Sequence, residues 1–143
     1  MIDRSALVPY AATEMFALVN DVDAYEDFLP WCKSSQVLSR GENELRAELR
    51  LARGGLEKSF VTRNRTEEGE VIKMSLEKGP FHHLEGIWRF DVLDLQACKV
   101  SLHLEFEFSN RLLGLTFGPV FNQIANSLVD AFCQRAEVIY GKR

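Results

Sequence analysis

The sequence predicts a two-layer α+β domain in which a curved antiparallel sheet of seven strands packs against one long C-terminal helix. Three observations lead to this fold class. The middle of the chain is a succession of segments in which apolar and polar residues alternate, the pattern of strands with one buried face. The end of the chain carries apolar residues at helical spacing. The 143 residues contain no repeats or Pro/Ser-rich linkers, which indicates a single domain over residues 1–143.

Two short helices are predicted after an opening strand near Ile2 to Val8. Apolar residues from Met15 onward recur at helical spacing and predict a helix that ends near Asn20. A second short helical turn is predicted from Val22 to Phe28, and Pro30 closes it because proline cannot continue a helix. Neither Ser nor Asp stands at the predicted start of the first helix as an N-cap, so that end should be slightly weakened.

The strands of the sheet follow one another through short turns. Alternation is found in five segments: Leu45–Leu51, Phe60–Arg65, Ile72–Glu77, Leu84–Leu93 and Leu102–Phe108. Turn-forming residues lie at Gly41-Glu42-Asn43, Gly54-Gly55, Glu67-Glu68-Gly69 and Gly79-Pro80. A strand and turn about every 12 to 15 residues indicates an antiparallel meander of hairpins, and with the opening strand we count seven strands.

The final element is one long amphipathic helix. Its apolar stripe comprises Phe117, Phe121, Ile124, Leu128, Ala131, Phe132 and Ile139. Pro119 lacks an N–H group, so it either kinks this helix or marks its beginning. Gly114 and Gly118 loosen the same turn, which makes the stretch from Gly114 to Pro119 a candidate gate over the interior.

Composition and motifs exclude several classes of function. Lys and Arg number 17 against 21 Asp and Glu, and the net charge of −4 with a pI near 5.4 argues against a uniformly basic nucleic-acid-binding protein and predicts no DNA partner. The chain has neither a signal peptide nor a run of about 18 apolar residues, so we expect a cytoplasmic protein. Phosphate-binding loops, GxSxG elbows and HExxH helices are all missing. The sequence therefore favours a protein that is not an enzyme.

The cysteines and histidines predict neither a disulfide framework nor a metal site. The three cysteines are Cys32, Cys98 and Cys133. Their odd number and the lack of CxxC spacing favour reduced thiols, and His82, His83 and His103 have no ligand-like spacing. We therefore predict no metal and no cofactor. His82 and His83 near Glu85 are the candidates for acid–base chemistry, although adjacent strand residues point to opposite faces, so only one could reach a cavity.

Ten phenylalanines, against two tryptophans and three tyrosines, indicate a large apolar interior. Two details favour a hollow core over a solid one. One inward strand face carries Lys58, Thr62 and Asn64 among its apolar residues, and inward polar groups need partners or a ligand. Large apolar residues also lie in the predicted loops at 28–31 and 79–81, where they would line an entrance. The alternative is that these loops fold back as lids on a filled core.

Several segments, taken together, resemble those of a known family. They are Asp21–Tyr25, Phe28–Cys32, Ser59–Asn64, Gly79–Phe81, Leu84–Phe90, Leu104–Asn110, Phe117–Phe121 and Ala131–Ala136, with Tyr140-Gly141. In these segments the chain resembles the coenzyme Q-binding, START-like (polyketide cyclase/dehydrase-like) family, and the resemblance covers essentially the whole sequence. It implies a helix-grip fold of order β-α-α-β6-α, in which the sheet grips the last helix around a hydrophobic tunnel. It also implies ubiquinone or a similar isoprenoid lipid as ligand, in support of respiration or quinone delivery.

For lipid binding, the predicted lining residues are Phe60, Met74, Leu76, Trp88, Phe90, Leu104, Phe106, Phe108, Phe121, Ile124 and Leu128. The predicted head-group residues are Lys58, Thr62 and Asn64, with Tyr25 or Trp31 near the entrance. Phe28, Phe81 and Phe117 are assigned to the rim, and Phe16 and Phe132 to ordinary helix packing. Each lining residue is also what a filled core would show. A carrier of this kind would make transient contact with the inner face of a membrane.

The resemblance also implies an alternative function. A branch of bacterial toxins in the family, which the chain resembles most, is credited with binding the large ribosomal subunit and blocking its joining to the small subunit. Between Arg46 and Arg65 there are six basic residues against two acidic ones, and such a segment could contact rRNA although the whole chain is acidic. The predicted contacts are Arg46, Arg50, Arg53, Arg63 and Arg65. The competing interpretation is a solvated strand face.

Overall fold

A computed structural model describes residues 1–67 and 70–143. The strands are β1 (Ile2–Val8), β2 (Cys32–Gly41), β3 (Glu44–Arg53), β4 (Leu56–Glu67), β5 (Val71–Lys78), β6 (Phe81–Asp94) and β7 (Ala97–Phe108). The helices are α1 (Ala12–Asn20), α2 (Tyr25–Phe28), α3 (Arg111–Thr116) and α4 (Gly118–Tyr140), with a 3₁₀ turn at Val22–Ala24 directly before α2. The predicted turn at Glu67-Glu68-Gly69 includes residues 68 and 69, which lie outside the described residues.

The seven strands form one antiparallel sheet in the order β1-β7-β6-β5-β4-β3-β2. Strands β2 to β7 are successive neighbours, as the predicted meander requires, and β1 joins the far edge beside β7. The predicted count of seven strands is therefore confirmed. The alternation of apolar and polar residues does not reveal the bounds of β2. Only Cys32 and Ser35 in this strand are buried, so it has no apolar face to detect.

The described residues form four helices, which corrects the predicted order of two short helices and one long one. Pro119 lies in the first turn of α4 and marks its beginning, where the missing N–H costs no hydrogen bond. Directly before it, the segment from Arg111 to Thr116 is helical instead of a loose turn. The sequence signal for α3 is Asn110, whose side chain accepts a hydrogen bond from the Leu113 N–H at 2.9 Å as an N-cap.

The beginning of α1 is tied to the end of the chain. The Glu14 carboxylate accepts a hydrogen bond from the Ala11 N–H at 2.9 Å and supplies the cap that the residue before the helix lacks. The Arg143 guanidinium donates to both oxygens of Glu14 at 2.8 and 3.0 Å. The Tyr10 hydroxyl donates to the Gly141 carbonyl at 2.7 Å, and the Tyr140 hydroxyl donates to the Glu14 carbonyl at 3.0 Å. These contacts fasten the C-terminus of α4 to α1.

This arrangement predicts a pH dependence of stability. The hydrogen bonds from Arg143, followed by the bond from Ala11, hold the pKa of the Glu14 carboxyl below its ordinary value of 4.5. A carboxyl with a lowered pKa stabilises the fold above its unfolded pKa, and this stabilisation is lost as the pH falls through the folded pKa. Glu14→Gln keeps an acceptor for Ala11, so we expect it to cost about 0.5 kcal/mol of unfolding free energy at pH 7, because the ion pair is exposed. The difference should shrink below pH 4.5.

Urea unfolding of both proteins at pH 7 and near pH 3 measures this difference. If the Glu14→Gln variant loses the same free energy of unfolding at both pH values, the carboxylate charge has no part in fastening α1 to α4.

Among the described residues, no helix is both long enough and apolar enough to cross a membrane.

Candidate functional site

The two halves of the sheet are covered by different helices, and a cavity lies between these coverings. Helix α4 packs chiefly against β1 and also contacts β7, whereas the 3₁₀ turn and α2 pack against β2. Residues of β3, β4 and β5 line this cavity together with residues of α4. The cavity has a volume of about 80 Å³, well below the roughly 300–1,000 Å³ of most ligand pockets. The core is hollow, but a large ligand requires the side chains around it to move.

The wall of the cavity is almost entirely apolar. It is formed by Val22, Tyr25, Trp31, Ala47, Leu49, Leu51, Phe60, Thr62, Asn64, Met74, Leu84, Trp88, Leu104, Phe121, Ile124, Ala125, Leu128 and Phe132. No residue of this wall carries a charge at neutral pH, and only Thr62 and Asn64 are aliphatic polar residues. The wall residues that are partly exposed to solvent are Tyr25, Leu49, Met74 and Leu128. We therefore place the mouth of the cavity beside these four side chains.

Eleven of the sixteen residues predicted for lipid binding lie on this wall. They are Tyr25, Trp31, Phe60, Thr62, Asn64, Met74, Trp88, Leu104, Phe121, Ile124 and Leu128. The remaining five, Lys58, Leu76, Phe90, Phe106 and Phe108, do not line the cavity. The alternation along the strands selects the correct face of the sheet, but not which part of that face borders the cavity and which part is filled.

Phe106 and Phe108 belong instead to an aromatic cluster that fills the core beside the α3–α4 junction. The cluster comprises Phe60, Phe81, Phe106, Phe108, Phe117 and Phe121. Its tightest ring-centroid distances are 4.8 Å for Phe106–Phe121 and 4.9 Å for Phe81–Phe121. Phe81 and Phe117 are buried in this cluster, so their assignment to the rim is wrong. Large aromatic rings are stabilised most by packing on one another edge to face, which draws them out of loops and into a core.

The other three predicted residues that do not line the cavity have different local surroundings. Phe90 is buried where its ring stacks on Trp88 and packs edge-on against Phe16 of α1. Leu76 pairs with Thr62 directly before a β-bulge in the β4–β5 pairing, and its partly buried side chain packs against the core outside the cavity wall. Lys58 is only half-buried and pairs with Leu51 near the β3–β4 turn. Its long side chain can bury its carbon atoms and keep the ammonium group in water.

Seven wall residues were not predicted. They are Val22, Ala47, Leu49, Leu51, Leu84, Ala125 and Phe132. The inward residues of β3 could have been found, because they come from the clean alternation of Leu45–Leu51. Phe132, assigned to ordinary packing, lies on the wall with its ring 5.5 Å from Trp88 and 5.3 Å from Tyr25. No sequence pattern distinguishes Phe132 or Ala125 on the cavity wall from the other buried residues of α4.

Thr62 and Asn64 form a polar pair within the apolar wall. They occupy successive inward positions of β4, and each side chain is 7% exposed. The Thr62 hydroxyl donates to Oδ1 of Asn64 at 2.9 Å. The second hydroxyl of the wall is engaged elsewhere, because Tyr25 donates its hydrogen to the Val19 carbonyl. Burial, with a smaller contribution from Asp21, raises the pKa of Tyr25, so this hydroxyl stays neutral.

The arginines predicted to contact rRNA lie on β3, on β4 and at the turn between them, and they are largely paired with carboxylates. Arg46 pairs with Glu77, Arg63 with Glu44 at 3.0 Å, and Arg50 with Glu57 at 3.4 Å. The last two predicted contacts are Arg53, beside the β3–β4 turn, and Arg65 on β4, and both are exposed. The surface is therefore a mixture of basic and acidic groups, with its basic end at the β3–β4 turn.

The candidate acid–base groups and the thiols lie outside the cavity wall. His82 is exposed and His83 is half-buried, and neither lines the cavity. Burial raises the pKa of the Cys32 and Cys98 thiols to about 11, so neither is an activated nucleophile. In the part of the chain that the structure describes, no group of three or more His, Cys, Asp or Glu residues could hold a metal ion.

Comparisons with known proteins agree with this architecture. The family model described as "Polyketide cyclase / dehydrase and lipid transport" matches residues 8–133. The chain is 52% identical over 140 residues to the "Ribosome association toxin RatA" of Pseudomonas aeruginosa, covering 98% of this chain and 97% of that protein. It is 28% identical over 144 residues to the "Coenzyme Q-binding protein COQ10 homolog B, mitochondrial" of Xenopus laevis, covering 98% of this chain and 59% of that protein.

Among solved structures, a START superfamily protein of Mycobacterium smegmatis superposes with a TM-score of 0.82 at 20% identity, covering 96% of this chain and 97% of that chain. At this identity the likeness shows the fold alone. The predicted helix-grip fold is therefore confirmed.

Proposed function

Because the chain belongs to the polyketide cyclase/dehydrase and lipid transport family, we propose that it binds ubiquinone or a similar isoprenoid lipid in the cavity between the sheet and α4. The observation that carries this proposal is the uncharged and almost wholly apolar wall. Such a wall favours a hydrocarbon chain, because burial of apolar surface is the main source of affinity there. The Xenopus relative named as a coenzyme Q-binding protein supports the choice of ligand. The role would be to support respiration or to deliver quinone.

An isoprenoid chain is longer than a cavity of about 80 Å³ can hold. We therefore expect the ligand to enter at the mouth, where Leu128 of α4 faces the sheet and Leu49 lies on β3. Both side chains are partly exposed, so they can move without breaking a packed core. The stretch from Gly114 to Pro119 is a weaker candidate for the gate, because the buried ring of Phe117 anchors it to the aromatic cluster.

Tryptophan fluorescence tests this proposal at the site itself. The chain has two tryptophans, and both Trp31 and Trp88 lie on the cavity wall. Titration with a short-chain ubiquinone should quench their emission saturably and raise the midpoint of thermal unfolding, because a ligand that binds only the folded state stabilises it. A linear, unsaturable decrease in emission with no change in the unfolding midpoint would contradict lipid binding.

The same arrangement supports a role without catalysis. The buried wall holds a Thr–Asn pair, but no histidine, carboxylate or thiol that could transfer a proton or attack a substrate. We therefore propose that the lipid is a carried ligand, and that the protein needs neither a metal nor another cofactor. We also propose that it acts in the cytoplasm, with transient contact at the inner face of the membrane when lipid is exchanged.

A second candidate function is association with the large ribosomal subunit, with a block on subunit joining. This proposal rests on the relative of Pseudomonas aeruginosa that is named a ribosome association toxin. The surface that could contact rRNA is the β3–β4 turn, where Arg50 and Arg53 are exposed. Neither Arg50 nor Arg53 lines the apolar cavity, so both functions could reside in one protein.

We predict that the double substitution Arg50→Glu, Arg53→Glu lowers co-sedimentation with purified large subunits by more than about tenfold at low salt. Each phosphate contact that is lost also removes roughly 0.7–0.9 from the slope of log affinity against log salt. The control is Arg111→Glu, an exposed arginine at the start of α3. No co-sedimentation of the wild-type protein at low salt would rule out the ribosomal function. Equal binding by the wild type, the double variant and the control would show that the β3–β4 turn does not contact the large subunit.

A further inference from the structure

The polar pair Thr62 and Asn64 has one group that the protein leaves without a partner. Oδ1 of Asn64 accepts the hydrogen bond from the Thr62 hydroxyl, which leaves the amide NH₂ of Asn64 with both hydrogens. No other hydrogen bond of Asn64 is found among the described residues. Asn64 is only 7% exposed, and it lies on the cavity wall. Because the amide NH₂ has no protein partner and Asn64 borders the cavity, a molecule in the cavity that accepts this hydrogen bond is favoured.

The charge of that molecule is limited by the rest of the wall. No wall residue carries a positive charge, and a buried carboxylate or phosphate without a cation is strongly disfavoured. The nearest basic residue along β4 on the same face is Lys58, six positions from Asn64. At about 3.3 Å per strand residue its Cα lies roughly 20 Å away, and Lys58 does not line the cavity. An anionic head group placed at Asn64 would therefore have no counter-ion.

We propose that Thr62 and Asn64 form a head-group subsite that selects an uncharged lipid with a carbonyl group, and that rejects fatty acids and phospholipids. This inference rests on the proposed function and adds the chemical class of the head group. Asn64 donates an amide hydrogen to the ligand carbonyl. Thr62 is a positioning residue, because its hydrogen bond to Oδ1 fixes the direction of the amide. The surrounding Met74 and Trp88 then contact the apolar part of the ligand.

The test uses three probes with similar tails on the full-length protein: decylubiquinone with carbonyl groups, decylbenzene with no hydrogen-bonding group, and decanoate with a carboxylate. Quenching of Trp31 and Trp88 reports binding of decylubiquinone at the wall. Binding of decylbenzene and decanoate is measured by the recovery of this emission as they displace decylubiquinone. We expect wild-type protein to bind decylubiquinone at least tenfold more tightly than either of the other two. Asn64→Leu should weaken decylubiquinone binding roughly tenfold, which corresponds to 1.4 kcal/mol, and change decylbenzene binding less than twofold.

Two further variants keep this test independent of folding defects. Thr62→Val has nearly the same shape and should weaken decylubiquinone binding several-fold, because the amide of Asn64 is then free to rotate. Ser35→Ala removes a buried hydroxyl outside the cavity wall and should leave all three affinities unchanged.

The outcomes separate this inference from the proposed function. If decanoate binds as tightly as decylubiquinone, or if Asn64→Leu and Thr62→Val leave decylubiquinone binding intact, the head-group subsite is refuted while lipid binding stands. If none of the three probes binds the wild-type protein, both the subsite and the proposed function are refuted.

Discussion

Replacing Phe121 by alanine is expected to lower the free energy of unfolding by about 3–5 kcal/mol. The Phe121 ring lies within 6.5 Å of five other phenylalanine rings, measured between centroids. It is also the residue through which α4 contacts both the aromatic cluster and the cavity wall. Truncation therefore removes buried surface and leaves a hole that rigid rings on several strands cannot close. For a domain of this size the unfolding midpoint should fall by roughly 10–20 °C.

Urea and thermal unfolding measure this effect, and Phe28→Ala is the matched control. Phe28 is half-buried and contacts two rings, those of Tyr25 and Phe132, so its truncation should cost clearly less. A loss below about 1 kcal/mol for Phe121→Ala would mean that the cluster does not hold α4 to the sheet.

Filling the cavity is expected to have the largest effect on binding. Ala47 lies on the wall, on β3, directly opposite Thr62 of β4. Ala47→Leu adds three carbon atoms that would point into the free space, so we expect ligand affinity to fall at least tenfold. The free energy of unfolding should change by no more than about 1 kcal/mol in either direction, because the added carbons fill a cavity instead of overpacking a core.

The control for this variant is Ala17→Leu, which adds the same atoms at an exposed position of α1. It should leave short-chain ubiquinone binding unchanged in the fluorescence titration. Undiminished binding by a well-folded Ala47→Leu protein would place the ligand outside this cavity.

The parts of the fold that the sequence predicts are those that obey a simple period. The alternation of Leu102–Phe108 and the stripe of Phe121, Ile124 and Leu128 require one buried face each, and the structure places those faces against one another. Strand β2 and helix α3 escaped residue-level prediction. Strand β2 buries little, and α3 is short and depends on one capping side chain at Asn110.

The candidate site was harder to predict because a cavity is a property of three-dimensional packing. Phe108 and Leu104 have the same spacing and face the same side of β7, yet the first packs in the aromatic cluster and the second lines the cavity. The difference depends on how α4 packs on the sheet. The spacing of apolar residues along the chain does not specify that packing. The polar pair was detectable, because Thr62 and Asn64 interrupt an otherwise apolar inward face.

Identification of the bound molecule tests whether the cavity carries a neutral isoprenoid lipid. Protein purified without detergent would be extracted with organic solvent, and the extract analysed by mass spectrometry beside an extract of the Ala47→Leu variant. We expect ubiquinone or another uncharged isoprenoid lipid in near-stoichiometric amount from the wild-type protein, and much less from the variant. Equal amounts of lipid from both proteins, or an extract of wild-type protein dominated by fatty acids or phospholipids, would contradict the binding of a neutral isoprenoid lipid in this cavity.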